Sequence, residues 1–98
     1  MAEQEAKVRY EKYRAGAQDA TLDLSISSCK RLLKAELELS KTKADRLAAR
    51  ERYLKLMKEV AKICKARYNL GRGSLADFSQ AEYERLDAEI ELEREKAQ

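Results

Sequence analysis

The stretch ARYNLGRGSLADFSQAEYERLDAEIEL, residues 66–92, contains a helix end, a turn and a new helix start. Gly71 and Gly73 follow a long helical pattern, and glycine stops a helix because it adopts a left-handed conformation without a Cβ penalty. Ser74 comes next, with Asp77 three residues later, and Ser-x-x-Asp is a close relative of the capping box that begins helices. The stretch therefore predicts two helices joined by a tight turn, with left-handed backbone at both glycines.

A second turn of the same kind lies near the N-terminus, in YRAGAQDATLDL, residues 13–24. There Gly16 stops one helical pattern, and either Asp19 or Thr21 can cap the next one. Both turns carry a Tyr-x-x-Gly element, which suggests that one helix-turn-helix unit is used twice.

These turns and the helical spacing of the apolar residues predict three helices within one domain that spans residues 1–98. The expected ranges are about 3–15, 20–69 and 75–97. The absence of proline and glycine favours a continuous middle helix. Polar residues occupy its apolar seam near the centre, however, and Thr42 followed by Asp45 can cap a fresh helix. A break near residues 40–44 is therefore the alternative.

Apolar residues recur at heptad spacing along the middle and third helices. The middle helix carries Leu22, Ile26, Cys29, Leu33, Leu47, Leu54, Met57, Ala61, Cys64 and Tyr68, flanked by Leu32, Leu39, Tyr53 and Val60. The third carries Leu75, Phe78, Leu86 and Ile90, with Tyr83 alongside. A stripe this wide touches more than one neighbour. The predicted fold is therefore all-α: antiparallel coiled-coil hairpins with a long central helix, completed by a second copy as a dimeric four-helix bundle.

The composition argues for long helices and against an enzyme. Charged residues make up 40% of the 98 residues and aromatics 6%, with no proline or tryptophan, which is typical of coiled coils. A high content of charged residues is also typical of disordered chains. Here, however, the charges are mixed in sign and the apolar residues recur at helical spacing, which favours a folded helical protein. Histidine is absent, and Cys29 and Cys64 fit no metal or nucleophile motif, so they are expected to pack as small apolar residues. No catalytic, cofactor-binding or metal-ligating residue is predicted.

The charge pattern leaves a second function open. The net charge is +3, and basic residues alternate with acidic ones as on a solvated helix face, which argues against a nucleic-acid surface. Residues 46–65 are locally basic, however. A helical module that binds nucleic acid or an acidic partner through this segment is the alternative to a protein-interaction scaffold.

The second turn resembles the helical hairpin tip of the TolC family of outer-membrane efflux proteins. The matching positions are Arg67, Tyr68, Gly71, Ser74, Asp77, Gln80 and Ala81, with a weaker match in the first turn at Tyr13, Arg14, Gly16 and Asp23. The resemblance implies a scaffold whose contact tip is Gly71, Arg72 and Gly73, facing an adaptor-type protein. Members of the family carry membrane strands between two hairpins, and no strand pattern occurs here. The resemblance therefore implies a hairpin module and not a channel.

The termini and apolar runs predict no membrane insertion. The N-terminus is charged from its third residue, and no apolar run approaches the ~20 residues of a membrane-spanning helix. As written, the chain is expected to be cytoplasmic; as an excised piece of a TolC-like parent it would be periplasmic. Its expected partners are a second copy of itself and an adaptor-type protein.

Overall fold

A computed structural model describes residues 22–98, and 88% of these residues are helical. The described part consists of three α-helices: α1 over Leu22–Leu39, α2 over Lys43–Asn69 and α3 over Leu75–Ala97. These residues contain no strand, so the all-α prediction is confirmed. The range of α3 matches the expected 75–97. The predicted helix at 3–15 and the turn at Gly16 lie outside the described residues.

The prediction of one continuous helix over the middle of the chain is wrong, because the helix is interrupted at residues 40–42. The Ser40 hydroxyl donates a hydrogen bond of 2.6 Å to the backbone carbonyl of Glu36. The backbone N–H of Asp45 donates to Thr42 Oγ1 over 3.1 Å, which caps the start of α2. Such bonds between side chain and backbone compete with the helical ladder. The break falls where the alternative prediction placed it.

The turn between α2 and α3 is a Schellman motif. Gly71 has a φ of 72°, the left-handed conformation that this motif requires. The N–H of Arg72 donates to the carbonyl of Arg67 over 2.8 Å, and the N–H of Gly71 donates to the carbonyl of Tyr68 over 3.0 Å. The prediction of left-handed backbone is therefore right for Gly71.

The same prediction is wrong for Gly73, since Gly71 is the one glycine of residues 22–98 with positive φ. At Gly73 a side chain would not fit, because the chain passes close to Arg67 and Tyr68. A Cβ atom built there would lie 3.0 Å from the Cβ of Arg67 and 3.3 Å from the backbone nitrogen of Tyr68. The turn thus uses one glycine for its conformation and the other for a close approach of the chain to the end of α2.

Ser74 caps α3, as predicted. Its backbone is extended, with φ −89° and ψ 154°, and its Oγ accepts a hydrogen bond of 3.0 Å from the N–H of Asp77. The carboxylate of Asp77 lies in the first turn of α3, where the helix dipole favours a negative charge.

Substitution of Gly71 tests this turn. We expect Gly71→Val to lower the free energy of unfolding by more than about 1 kcal/mol, because a side chain with a Cβ is strained in the left-handed conformation. Nothing lies within 4 Å of the added Cβ, so the cost is conformational and not a clash. Gly71→Asn is the matched control and should cost less, since asparagine tolerates this conformation. Urea denaturation measures both, and equal midpoints for Gly71→Val and the wild type would contradict the turn described here.

The chain divides into two compact units, residues 1–49 and 50–98. In the described part of the first unit, α1 buries Leu22, Ser25, Ile26, Ser28 and Cys29. In the second unit, α2 buries Tyr53, Met57, Val60, Ala61 and Cys64, and α3 buries Ala81, Glu84, Ala88, Leu92 and Glu95. Whether residues 1–98 fold as one domain stays a prediction.

Candidate functional site

Helix α3 buries two alanines and exposes several of its large apolar side chains. Ala81 is 0% exposed and Ala88 4%, whereas Leu86 is 47% exposed, Ile90 50% and Tyr83 67%. The prediction that Leu86 and Ile90 line the core is therefore wrong, because the alanines occupy that position.

The two faces of α3 lie opposite each other. Residues nine positions apart are separated by about two and a half helical turns, so they point in opposite directions. Three such pairs each join a buried residue to an exposed one: Ala81 with Ile90, Leu92 with Tyr83, and Glu95 with Leu86. We call Leu75, Tyr83, Leu86 and Ile90 the exposed α3 row; Leu75 is 57% exposed. An apolar row directly opposite the buried face is a surface able to receive a second neighbour.

The exposed α3 row is bordered by acidic residues. Ile90 and Ala97 line a shallow open depression together with Glu89, Glu93 and Arg94. Over its whole length α3 carries eight acidic and three basic residues, a net charge of −5. A partner for this row must therefore offer both apolar area and positive charge.

Local ion pairs hold some of these carboxylates in place. The Arg85 guanidinium contacts Glu82 at 2.9 Å and Glu89 at 3.2 Å. The pKa of the Glu82 carboxyl is lowered, first because Arg85 donates a hydrogen bond to it, and also because the charges of Arg85 and Lys65 favour the carboxylate. Pairs this exposed contribute little to stability.

Helix α2 has the opposite charge. It carries nine basic and three acidic residues, a net charge of +6. Four lysines at steps of three and four are exposed on one face, Lys55, Lys58, Lys62 and Lys65, which we call the α2 lysine row. Lys62 lies nine positions from buried Tyr53, and Lys55 nine from buried Cys64, so these two lysines face away from the buried side of α2.

Within the basic segment predicted at residues 46–65, the α2 lysine row is the candidate binding surface, because Arg50 pairs with a residue of α3. Its Nε lies 3.0 Å from Oε1 of Glu95 in α3. The side chains are 21% and 7% exposed, so the pair is largely removed from water. Arg46 and Arg52 also take part in interactions of their own.

The predicted residues of the second turn lie in and beside the connection between α2 and α3, residues 70–74. Gly71, Arg72 and Ser74 are exposed, and Arg67, Gly73 and Asp77 are half-buried. The ring of Tyr68 packs against that of Phe78 with centroids 5.9 Å apart. The sequence analysis did not identify Leu70, which is 70% exposed. Its position directly before Gly71, the glycine that ends the helix, could have indicated that it lies at the exposed turn.

The cysteines pack as predicted. Cys29 and Cys64 are both buried, and neither forms a disulfide. Burial raises the pKa of the Cys29 thiol to about 11 because the thiolate is poorly solvated there. Within residues 22–98, no group of three or more cysteine or acidic side chains is placed to hold a metal ion. No helix in this range is long and apolar enough to cross a membrane.

No protein-family model matches the chain, and no curated protein or solved structure is significantly similar to it. Any functional assignment therefore depends on the exposed α3 row, the α2 lysine row and the turn.

Proposed function

We propose that the chain is a non-catalytic helical module for protein–protein contact, in which α2 and α3 run antiparallel as a hairpin. Two contacts support the antiparallel arrangement. Arg50, early in α2, pairs with Glu95, late in α3, while Tyr68 and Phe78 pack against each other on either side of the turn. The contact later in α2, at Tyr68, is made with a residue earlier in α3, at Phe78, as antiparallel packing requires.

The exposed α3 row is the observation that carries this proposal. A helix with apolar residues on two opposite faces buries both only if it has two neighbours. One neighbour is α2 of the same chain, and Leu86 and Ile90 remain about half exposed. Exposed apolar patches of this kind mark contact surfaces on proteins that remain in solution. The second neighbour is a second copy of the chain, and the smallest assembly is a dimer.

The turn offers another contact. Leu70, Arg72 and Leu75 are exposed around it, which combines apolar area with a positive charge at the end of the hairpin. The similarity of this turn to the TolC-family tip supports an adaptor-type partner here. A contact of this kind can form in the cytoplasm or in the periplasm, so the compartment stays a prediction.

Substitution within the exposed α3 row tests the proposed dimer. We expect Leu86→Lys to weaken self-association by roughly three- to tenfold, because Leu86 is 47% exposed and burying the remaining half of its side chain contributes about half of the ~1.5–3 kcal/mol of a fully buried leucine, with about 1.4 kcal/mol for each tenfold in affinity. Sedimentation velocity over a range of concentrations measures the effect. The matched control is Leu39→Lys, the same change at an exposed leucine of α1. If Leu86→Lys and Leu39→Lys changed self-association equally, the exposed α3 row would not be part of the interface.

A further inference from the structure

We propose that the exposed α3 row of one molecule docks on the α2 lysine row of a second copy, so that the contact joins two different faces. This inference rests on the proposed self-association and names the surface that completes it.

Charge selects this pairing over two α3 helices packed on each other. The net charges are −5 for α3 and +6 for α2. An α3-to-α3 contact would bring two strongly acidic helices together, and like charges across an interface oppose binding. An α3-to-α2 contact joins opposite charges.

Lysine side chains satisfy both requirements of the α3 surface. Their methylene stems cover apolar area while the ammonium groups stay at the edge in contact with water or carboxylates. Stems of the lysine row would lie over Leu86 and Ile90, and the ammonium groups would reach Glu89 and Glu93 beside them.

The lengths also agree. From Lys55 to Lys65 the lysine row advances ten residue steps, about 15 Å of helix, and the segment from Glu82 to Glu93 advances eleven steps, about 16 Å. The α2 lysine row is therefore long enough to cover the part of the exposed α3 row that contains Tyr83, Leu86 and Ile90.

Such a contact is not completed within a pair of molecules. Every molecule carries one exposed α3 row and one α2 lysine row, so a pair formed in this way leaves one row of each kind uncovered. Contacts between two different surfaces continue until a rotation closes them, and otherwise they form open stacks. The proposal therefore predicts species larger than a dimer as the protein concentration rises.

Nucleic acid is the competing occupant of the lysine row, and the surroundings oppose it. Arginine is the residue that grips phosphate bidentately, and Arg50 is engaged with Glu95. The row contains no aromatic side chain on which a base could stack. The acidic helix α3 belongs to the same unit and would repel a polyanion.

Charge reversal on each row separately, followed by mixing, tests the proposal. The first variant carries Lys58→Glu and Lys62→Glu, and the second carries Glu89→Lys and Glu93→Lys. Each alone is expected to associate at least about tenfold more weakly than the wild type, because like charges now face each other. An equimolar mixture should recover association, since every remaining contact then joins opposite charges. Circular dichroism checks that both variants keep their helices.

Salt provides the second readout. Wild-type association should weaken as sodium chloride is raised, because opposite charges are screened. Strengthening with salt, or a mixture that associates no better than its components, would overturn the pairing of the two rows. A short DNA duplex bound through the four lysines, with self-association unaffected by the first variant, would also overturn it. A wild-type chain that stays monomeric in every buffer would instead remove the self-association on which the inference rests.

Discussion

Met57→Ala is expected to lower the free energy of unfolding by about 2–5 kcal/mol. The Met57 side chain is 0% exposed, in the centre of the buried face of α2 between Tyr53 and Val60. Truncation loses the transfer free energy of the removed atoms and leaves a cavity that the surroundings fill only in part. The loss is large against the ~5–15 kcal/mol that hold a typical domain together.

Glu59→Ala is the matched control, two residues further along on the exposed side of α2 and outside the α2 lysine row. It should change the free energy of unfolding by no more than about 0.5 kcal/mol, as surface substitutions usually do. Urea denaturation followed by circular dichroism compares the two. Midpoints that differ little would mean that Met57 does not lie in a packed core.

Arg50→Leu is expected to lower the free energy of unfolding by about 3 kcal/mol, because it removes the guanidinium that pairs with the largely buried carboxylate of Glu95. The estimate lies at the low end for a broken buried pair, since the Arg50 side chain keeps 21% of its exposure. The double variant Arg50→Leu with Glu95→Leu should recover most of this loss. Two apolar residues can replace a buried ion pair at little cost or even with a gain.

A double-mutant cycle measures the coupling directly. The single variants, the double variant and the wild type are unfolded in urea, and the interaction energy is the departure from additivity. Strict additivity would show that Arg50 and Glu95 act independently, and it would remove one of the two contacts that support the antiparallel hairpin.

The turn could be predicted from the sequence because its signals are local. Gly71 and Ser74 act on the few residues beside them, so a short window contains all the information needed for a helix stop and a cap. Gly73 could not be assigned correctly in the same way. Its role depends on how closely the chain approaches Arg67, which is a matter of three-dimensional spacing.

The break near residue 41 was harder to predict, since breaks are usually expected at proline or glycine. Here Ser40 and Thr42 interrupt the helix with hydrogen bonds between side chain and backbone. The Ser40 bond also occurs inside continuous helices, so the Thr42 cap, which requires a non-helical residue at the start of a helix, is the signal that favours the break.

The face that α3 buries could not be read from residue size. Leu86 and Ile90 are larger and more apolar than Ala81 and Ala88, so periodicity alone favours them as the core. Both rows have helical spacing, and the choice between them depends on the surface that α2 presents. Small side chains allow two helices to approach closely, and Met57 and Tyr53 supply bulk on α2. The exposed α3 row is therefore visible only once the helices are placed.

Self-association is the central claim, and the solution mass of the wild-type chain tests it most directly. Sedimentation equilibrium from low to high micromolar concentration, with helicity followed in parallel, is the measurement. We expect a mass that rises with concentration to that of a dimer and beyond, because the exposed α3 row needs a second neighbour. A monomer mass at the highest concentration, with full helicity retained, would contradict it.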